Sequence, residues 1–335
     1  MAVSFASGTR TGNGVSDTLV VTGFQPNVVC VRKSSGGSNF DWRISTMAAN
    51  TSKDVTADNG PRTDRIRNFA ATGFNVGDED AVNTNGATYK WVAFTTDGIV
   101  NDVFTYTGDG TDDRVVGSFG FQATGAMVFS MAVANSWCAT SNMVSGEACA
   151  LNAAGSPITD AIQVLGNGSI TVGTLANVNL RVYHVIVWAT ANLFVSPFTY
   201  TGDGTDGRNV AHGLGADPYL SLIMRLQTTD PVWRMRADTG DSSFNGVSTG
   251  TDTNCIQATN SVFLNLGSDA SVNLNTETYY GLVLGNGVAG GGGGPPGGGG
   301  RPGRPRPPGG GPPPGGGGSL TGPVLKKLRF PEKVI

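Results

Sequence analysis

Apolar residues recur along this chain with a period of two. Phe40-Asp-Trp-Arg-Ile-Ser, Tyr89-Lys-Trp-Val-Ala-Phe and Pro231-Val-Trp-Arg-Met-Arg all show the alternation. Successive side chains of a strand point to opposite faces, so this pattern predicts strands with one face turned to a core. In the first hundred residues the runs Thr18–Val21, Asn27–Arg32, Phe40–Ser45, Arg65–Ala70 and Thr88–Thr95 are rich in Val, Ile, Phe, Tyr and Trp and are bounded by Gly and Asn. Asn13-Gly14, Asp109-Gly110 and Asp203-Gly204 are the pairs that type I′ hairpin turns prefer. Short strands at this density predict antiparallel sandwiches.

The pattern repeats. Phe104-Thr-Tyr-Thr-Gly-Asp-Gly-Thr-Asp returns as Phe198-Thr-Tyr-Thr-Gly-Asp-Gly-Thr-Asp, and Thr11-Gly-Asn-Gly is a weaker first copy. Gly-x4-Val-Asn occurs as Gly77 with Val82-Asn83, Gly173 with Val178-Asn179 and Gly267 with Val272-Asn273. A tryptophan recurs in each copy at Trp42, Trp137 and Trp233, and its place in an alternating strand predicts that it fills the space between the sheets of its module. The fold class expected is all-β, with three tandem antiparallel β-sandwich domains over 1–100, 101–196 and 197–288. Their short links predict that the modules pack against one another.

Residues 289–318 hold 17 Gly and 9 Pro. Such a segment has no apolar surface to bury, and without a Gly-X-Y period it does not read as collagen. It is expected to be a disordered Gly/Pro-rich linker, able to bridge ~90 Å when drawn out. In 319–335, Leu320, Val324, Leu325, Leu328, Phe330, Val334 and Ile335 are apolar, and Arg329 is one of the basic residues between them. Seventeen residues cannot form a core, and Pro323 and Pro331 oppose a helix. The expectation is a C-terminal docking peptide that adds to another subunit.

Charge sharpens this division. The chain has a formal net charge of −3. From 289 onward seven basic residues face Glu332 alone, a net of +6 that leaves −9 for the body. An acidic body argues against nucleic-acid binding. No run approaches a membrane span, and the first residues lack the basic start and apolar stretch of a secretory signal. Cytoplasmic synthesis is therefore expected.

Candidate chemistry is sparse. No nucleophile elbow, phosphate loop or zinc-protease motif is present, His184 and His212 lie in different modules, and no cofactor is expected. Cys30, Cys138, Cys149 and Cys255 read as buried free thiols, with a Cys138–Cys149 disulfide the alternative. Asp109, Asp112 and Asp113, with Asp203 and Asp206, superficially resemble a calcium loop, but the first module carries Asn13 and Ser16 there and a turn explains the acids equally well. No metal is the expectation.

Thr22-Gly-Phe-Gln-Pro-Asn-Val-Val-Cys-Val-Arg-Lys-Ser, Val82-Asn-Thr-Asn-Gly-Ala-Thr-Tyr-Lys-Trp-Val-Ala-Phe and Phe198-Thr-Tyr-Thr-Gly-Asp-Gly-Thr-Asp-Gly-Arg-Asn-Val-Ala-His-Gly-Leu-Gly resemble a β-sandwich module of bacteriophage tail and virion structural proteins. The resemblance covers about residues 5–288, with Ala123 standing where the module carries proline. It implies a jelly-roll or lectin-like architecture. It also implies a non-enzymatic virion component, whether a tail-associated protein, a fibre or a capsid decoration. The partners expected are other virion subunits, with several copies or a homo-oligomer in the particle. A second reading is a receptor-binding protein that meets host-surface glycan through Tyr106, Tyr200, Trp188 and Tyr219.

Overall fold

A computed structural model describes residues 3–34, 39–56, 60–132, 135–152, 157–190, 194–226, 230–245 and 251–286. All lie within one compact unit, Met1–Gly291. The first repeat contains β1 (Phe5–Thr11), β2 (Thr18–Val21), β3 (Val28–Lys33), β4 (Phe40–Ile44), β5 (Thr51–Asp54), β6 (Arg62–Thr63), β7 (Ile66–Ala70), β8 (Gly73–Val76), helix α1 (Asp80–Asn83) and β9 (Thr88–Phe94). The second has β10 (Asn101–Thr107), β11 (Arg114–Val116), β12 (Gly125–Ser130), β13 (Trp137–Thr140), β14 (Cys149–Ala150), β15 (Ile162–Leu165), β16 (Ile170–Val172), a 3-10 turn (Thr174–Ala176) and β17 (Val182–Trp188). The third has β18 (Val195–Thr201), β19 (Arg208–Ala211), β20 (Leu220–Met224), β21 (Val232–Met235), β22 (Phe244–Asn245), β23 (Ile256–Thr259), β24 (Phe263–Leu266), α2 (Ala270–Asn273) and β25 (Thr278–Leu284).

Topology repeats with the sequence. The larger sheets run β1-β9-β3-β4-β5-β6, β10-β17-β12-β13-β14 and β18-β25-β20-β21-β22, and the three-stranded sheets run β2-β8-β7, β11-β16-β15 and β19-β24-β23. Every strand pairing is antiparallel.

Alternation decides where each face goes. In β3, Val29 and Val31 join Phe74 and Val76 of the small sheet in a core inside the repeat. Val28 and Cys30, with Phe40, Trp42 and Ile44 of β4, point the other way, into a core shared with Met127, Phe129 and Trp188 of the second repeat and Leu220, Leu222 and Trp233 of the third. The second and third repeats have their own inner cores as well. The protein thus has three sandwich interiors around a fourth, common one. At its centre Trp42 lies 5.7 Å from Phe129 and 5.9 Å from Trp233, ring to ring.

The tryptophan expectation is corrected by this geometry. Cys30 pairs with Trp42, Met127 with Cys138, and Leu222 with Trp233, so Cys138 is the counterpart of the other two tryptophans. Trp137 sits one residue earlier. One step along a strand reverses the side chain, so Trp137 packs inside its own repeat, whereas Trp42 and Trp233 leave theirs for the common core. The Val-Asn marker slips too. Asn83, Asn177 and Asn273 are the equivalent residues, since their carbonyls accept from Gly14, Gly110 and Gly204 at 2.9, 2.7 and 2.8 Å. The second repeat is two residues shorter between Gly173 and Asn177, which leaves a 3-10 turn where the others form a helical turn.

Candidate functional site

The repeated Gly-Asp-Gly-Thr-Asp string is not a type I′ hairpin. It carries the chain from β10 to β11 and from β18 to β19, which lie in different sheets. Gly110 and Gly204 have φ of +81° and +71°, but Asp109 and Asp203 are not left-handed. The aspartates build the corner instead. Asp109 Oδ1 accepts from Thr111 N at 2.9 Å, Thr111 Oγ1 at 2.7 Å and Asn177 Nδ2 at 2.6 Å, while Oδ2 lies 3.2 Å from Arg114 Nε. Asp203 repeats this with Thr205, Asn273 and Arg208. Hydrogen bonds from the threonine side chain and backbone hold the Asp109 carboxyl down to about 2. Asp112 and Asp206 each accept from a glutamine of the small sheet, Gln163 at 2.9 Å and Gln257 at 2.7 Å. These acids tie corner to sheet, and no group of three metal-ligating side chains converges among the described residues.

The aromatic residues expected to meet glycan are mostly inside. Trp188 is 0% exposed and lies in the common core. Tyr200 is 8% exposed, stacked on Tyr279 at 5.1 Å, with its hydroxyl bonded to the Val272 carbonyl. Tyr106 stacks on Tyr183 at 5.0 Å and bonds the Ala176 carbonyl. Burial takes Trp188 and Tyr200 out of reach of a sugar, and the stacked face of Tyr106 is already covered. Tyr219 remains half-buried, between Phe5 at 5.0 Å and the Arg236 guanidinium at 4.7 Å. The docking residues Leu320, Val324, Leu325, Leu328, Arg329, Phe330, Val334 and Ile335 lie outside the described residues.

Buried ionisable groups hold the body together. In the first repeat, Arg65 Nη1 reaches both Asp41 oxygens at 2.9 Å and Asp54 Oδ2 at 3.3 Å, all inside the sandwich. Burial pushes the Asp41 carboxyl up to about 7, against the pull of Arg65. At the boundary between first and third repeats, Asp238 is gripped by Arg32 at 2.7 Å and Lys90 at 2.6 Å. Between first and second, Thr46 Oγ1 and His184 Nδ1 share a hydrogen bond of 2.8 Å. His212 accepts from Leu214 N on Nδ1, which places its proton on Nε2, aimed at the Asn260 carbonyl at 2.9 Å. The four cysteines are free and buried. Cys138 and Cys149 stand opposite each other on β13 and β14, and burial raises both thiols, Cys149 to about 12.

Sequence reasoning missed a cleft that recurs in the repeats. One lip is the segment before β3 or its counterpart, and the other is the hairpin after β4 or its counterpart. In the first repeat Gln25, Pro26, Asn27, Arg43, Ser45 and Phe69 line a depression of about 450 Å³. In the second, Gln122, Ala123, Thr124, Ala139, Ser141 and Leu165 line an equivalent cavity of about 290 Å³, which extends over the hairpin residues Met143–Glu147. Arg43 bonds the carbonyls of Ala48 at 2.7 Å, Thr51 and Met47 at 3.4 Å. Arg234, its counterpart in the third repeat, bonds those of Asp238, Gly240, Ser242 and Ile256. The Trp-Arg pair shared by Trp42-Arg-Ile and Trp233-Arg-Met carried this signal. The break at Cys138-Ala-Thr shows only once the one-residue slip of Trp137 is corrected.

No curated protein matches the chain. Residues 5–268, from β1 of the first repeat to the small sheet of the third, match the family described as Domain of unknown function (DUF7483). With most of its length inside that match, the chain belongs to this family of unknown function.

Proposed function

We propose that the chain is a non-enzymatic structural component of a bacteriophage particle, displayed as a rigid three-repeat body and attached through its C-terminal segment. The sequence resemblance supplies the particle, and the shared core is the observation that supports the role. Three repeats that seal thirty buried apolar residues between them make a body of fixed shape. Their buried ion pairs, histidines and stacked tyrosines have structural partners. Such a body acts by where it is held. A tail-associated protein, a fibre element and a capsid decoration all fit, and the attachment partner is then another virion subunit.

Deleting residues 319–335 tests the reading. The variant should fold with an unchanged circular dichroism spectrum and be absent from purified particles by mass spectrometry. Normal incorporation would overturn attachment through this segment.

A further inference from the structure

The three repeats build the hairpin after β4, β13 and β21 to one length, with seven residues from 44 to 50, 140 to 146 and 235 to 241. Its first turn is the same in each, with Met47 N donating to Ile44, Met143 N to Thr140 and Asp238 N to Met235 at 2.9, 3.0 and 2.9 Å. Carbonyl groups that face back across this hairpin need donors. In the first and third repeats a guanidinium from the preceding strand supplies them. Arg43 and Arg234 are 5% exposed, and each reaches three or four carbonyl oxygens. Five N–H donors in a planar fork suit such a cluster in a way that the compact lysine ammonium does not.

The second repeat keeps the hairpin and omits the arginine. Ala139 occupies the position. The carbonyls of Met143, Ser145 and Glu147 hold the places of those that bond Arg43 or Arg234, and no side-chain donor reaches them among the described residues. The cavity of about 290 Å³ lies at this place. Gln163 on its wall has a buried side-chain oxygen that no donor reaches. Glu147 adds a half-buried carboxylate. At the mouth Val144 and Val164 are exposed apolar side chains that an aliphatic stem would cover.

We infer that this cavity is a binding site for a guanidinium group carried on an alkyl stem, the side chain of an arginine that enters from outside the repeat. The ligand completes in the second repeat the arrangement that Arg43 and Arg234 complete internally. Two sources present this chemistry: an arginine of the chain's own C-terminal stretch (Arg301, Arg304, Arg306 or Arg329) and an arginine of another molecule.

Calorimetric titration with N-acetyl-arginine amide tests the site, with the N-acetyl-lysine amide as comparison. The proteins are the full chain and a full-length variant with Arg301, Arg304, Arg306 and Arg329 replaced by Gln. Saturable binding of one arginine amide per chain, at least about tenfold tighter than the lysine amide, is expected in the variant. The same binding in the unchanged chain assigns the site to an external arginine, and its absence there assigns it to the chain's own segment. Ala139→Arg should abolish binding. Glu147→Arg, at a half-buried rim position, should abolish it too. No arginine binding by either protein, or binding that survives both substitutions, would overturn the site.

Discussion

Equivalent positions in the three repeats exchange side chains while keeping the space filled. Gly8 faces Trp91, Phe104 faces Val185, and Phe198 faces Gly281. A Cβ on Gly281 would come within 2.0 Å of the Phe198 ring, and one on Gly8 within 2.8 Å of Trp91. The buried ion cluster belongs to the same exchange. Asp41 and Asp54 of the first repeat correspond to Trp137 and Ala150 of the second and to Val232 and Asn245 of the third. Arg65 corresponds to Ala161, since both accept from the glycine that follows the small sheet. One tryptophan and two alanines thus replace three charged side chains. Removing one partner of a buried pair strands the other, whereas an apolar set of similar volume is often neutral. Asp41→Val should therefore lower stability by about 3 kcal/mol in urea titration, and the triple change Asp41→Trp, Asp54→Ala, Arg65→Ala should recover most of it. His184 gives a second prediction at this scale. Burial, with repulsion from Arg43, lowers its pKa from 6.5 to about 4. The unfolded chain takes up a proton below pH 6.5 that the fold refuses until about pH 4, so the unfolded state binds more protons within that window. Stability falls as pH drops through it, by about 3 kcal/mol at the acid end. Subtracting the profile of His184→Asn from that of the unchanged protein isolates the effect, and parallel profiles would contradict it.

Glycine sets limits on the elements that side-chain pattern does not reveal. Gly12, Gly108 and Gly202 end the first strand of each repeat, and a Cβ on any of them would meet a backbone oxygen at 2.1 Å: Thr84, Val178 or Leu274. The loop that ends in the buried asparagine passes directly behind. Gly146, by contrast, has φ +91° and open space around it. Gly108→Ala should cost about 3 kcal/mol by forcing two backbones apart, and Gly146→Ala only the 1–2 kcal/mol or so of a left-handed alanine. Thermal melts that rank them in the reverse order would refute the corner geometry. The element scale is also where the sequence spoke most clearly. The apolar runs marked β2, β3, β4, β7 and β9 nearly to their ends, because each is rich in Val, Ile, Phe, Tyr or Trp and, in β3 and β4, both faces are buried. β1, Phe5-Ala-Ser-Gly-Thr-Arg-Thr, was not legible, since Gly8 sits where an apolar residue would mark the pattern and Trp91 fills its place from the next strand. The corner was misread for a related reason. Asp-Gly pairs suit hairpins and sheet-to-sheet crossings alike, and the partner that decides between them, Asn177 or Asn273, is some seventy residues away. The arginine clefts stayed hidden because three repeats aligned on tryptophan place Ala139 out of step with Arg43.

The whole molecule depends on a core that no repeat owns. Its three boundaries are built differently at equivalent positions. Arg32 and Lys90 face Asp238 between first and third repeats, while Phe129 and His184 occupy the matching places on the second repeat, with Met47 as the counterpart of Asp238 on the first. Met224 and Tyr280 do so on the third, with Met143 as the counterpart. Of these three sets of matching positions, the one between the first and last repeats in the chain forms ion pairs. That boundary closes the ring, and its charged residues stand where the other two boundaries carry Met47, Phe129 and His184, or Met143, Met224 and Tyr280, so the arrangement favours one circular order over pairings between copies of the chain. Asp238 is therefore the residue whose loss should be felt by all three repeats. Asp238→Met inserts the side chain that the other boundaries use, yet takes the carboxylate from buried Arg32 and half-buried Lys90, at a cost of about 3 kcal/mol. Because the central core is common, the loss should appear in a single transition. Tryptophan fluorescence, which reports Trp42, Trp91, Trp137, Trp188 and Trp233 in three different cores, and far-ultraviolet circular dichroism, which reports every sheet, should give coincident urea curves for the unchanged protein and coincident, shifted curves for the variant. Separate midpoints would mean that the repeats fold as independent units, and that the shared core is an association of finished domains rather than the centre on which they depend.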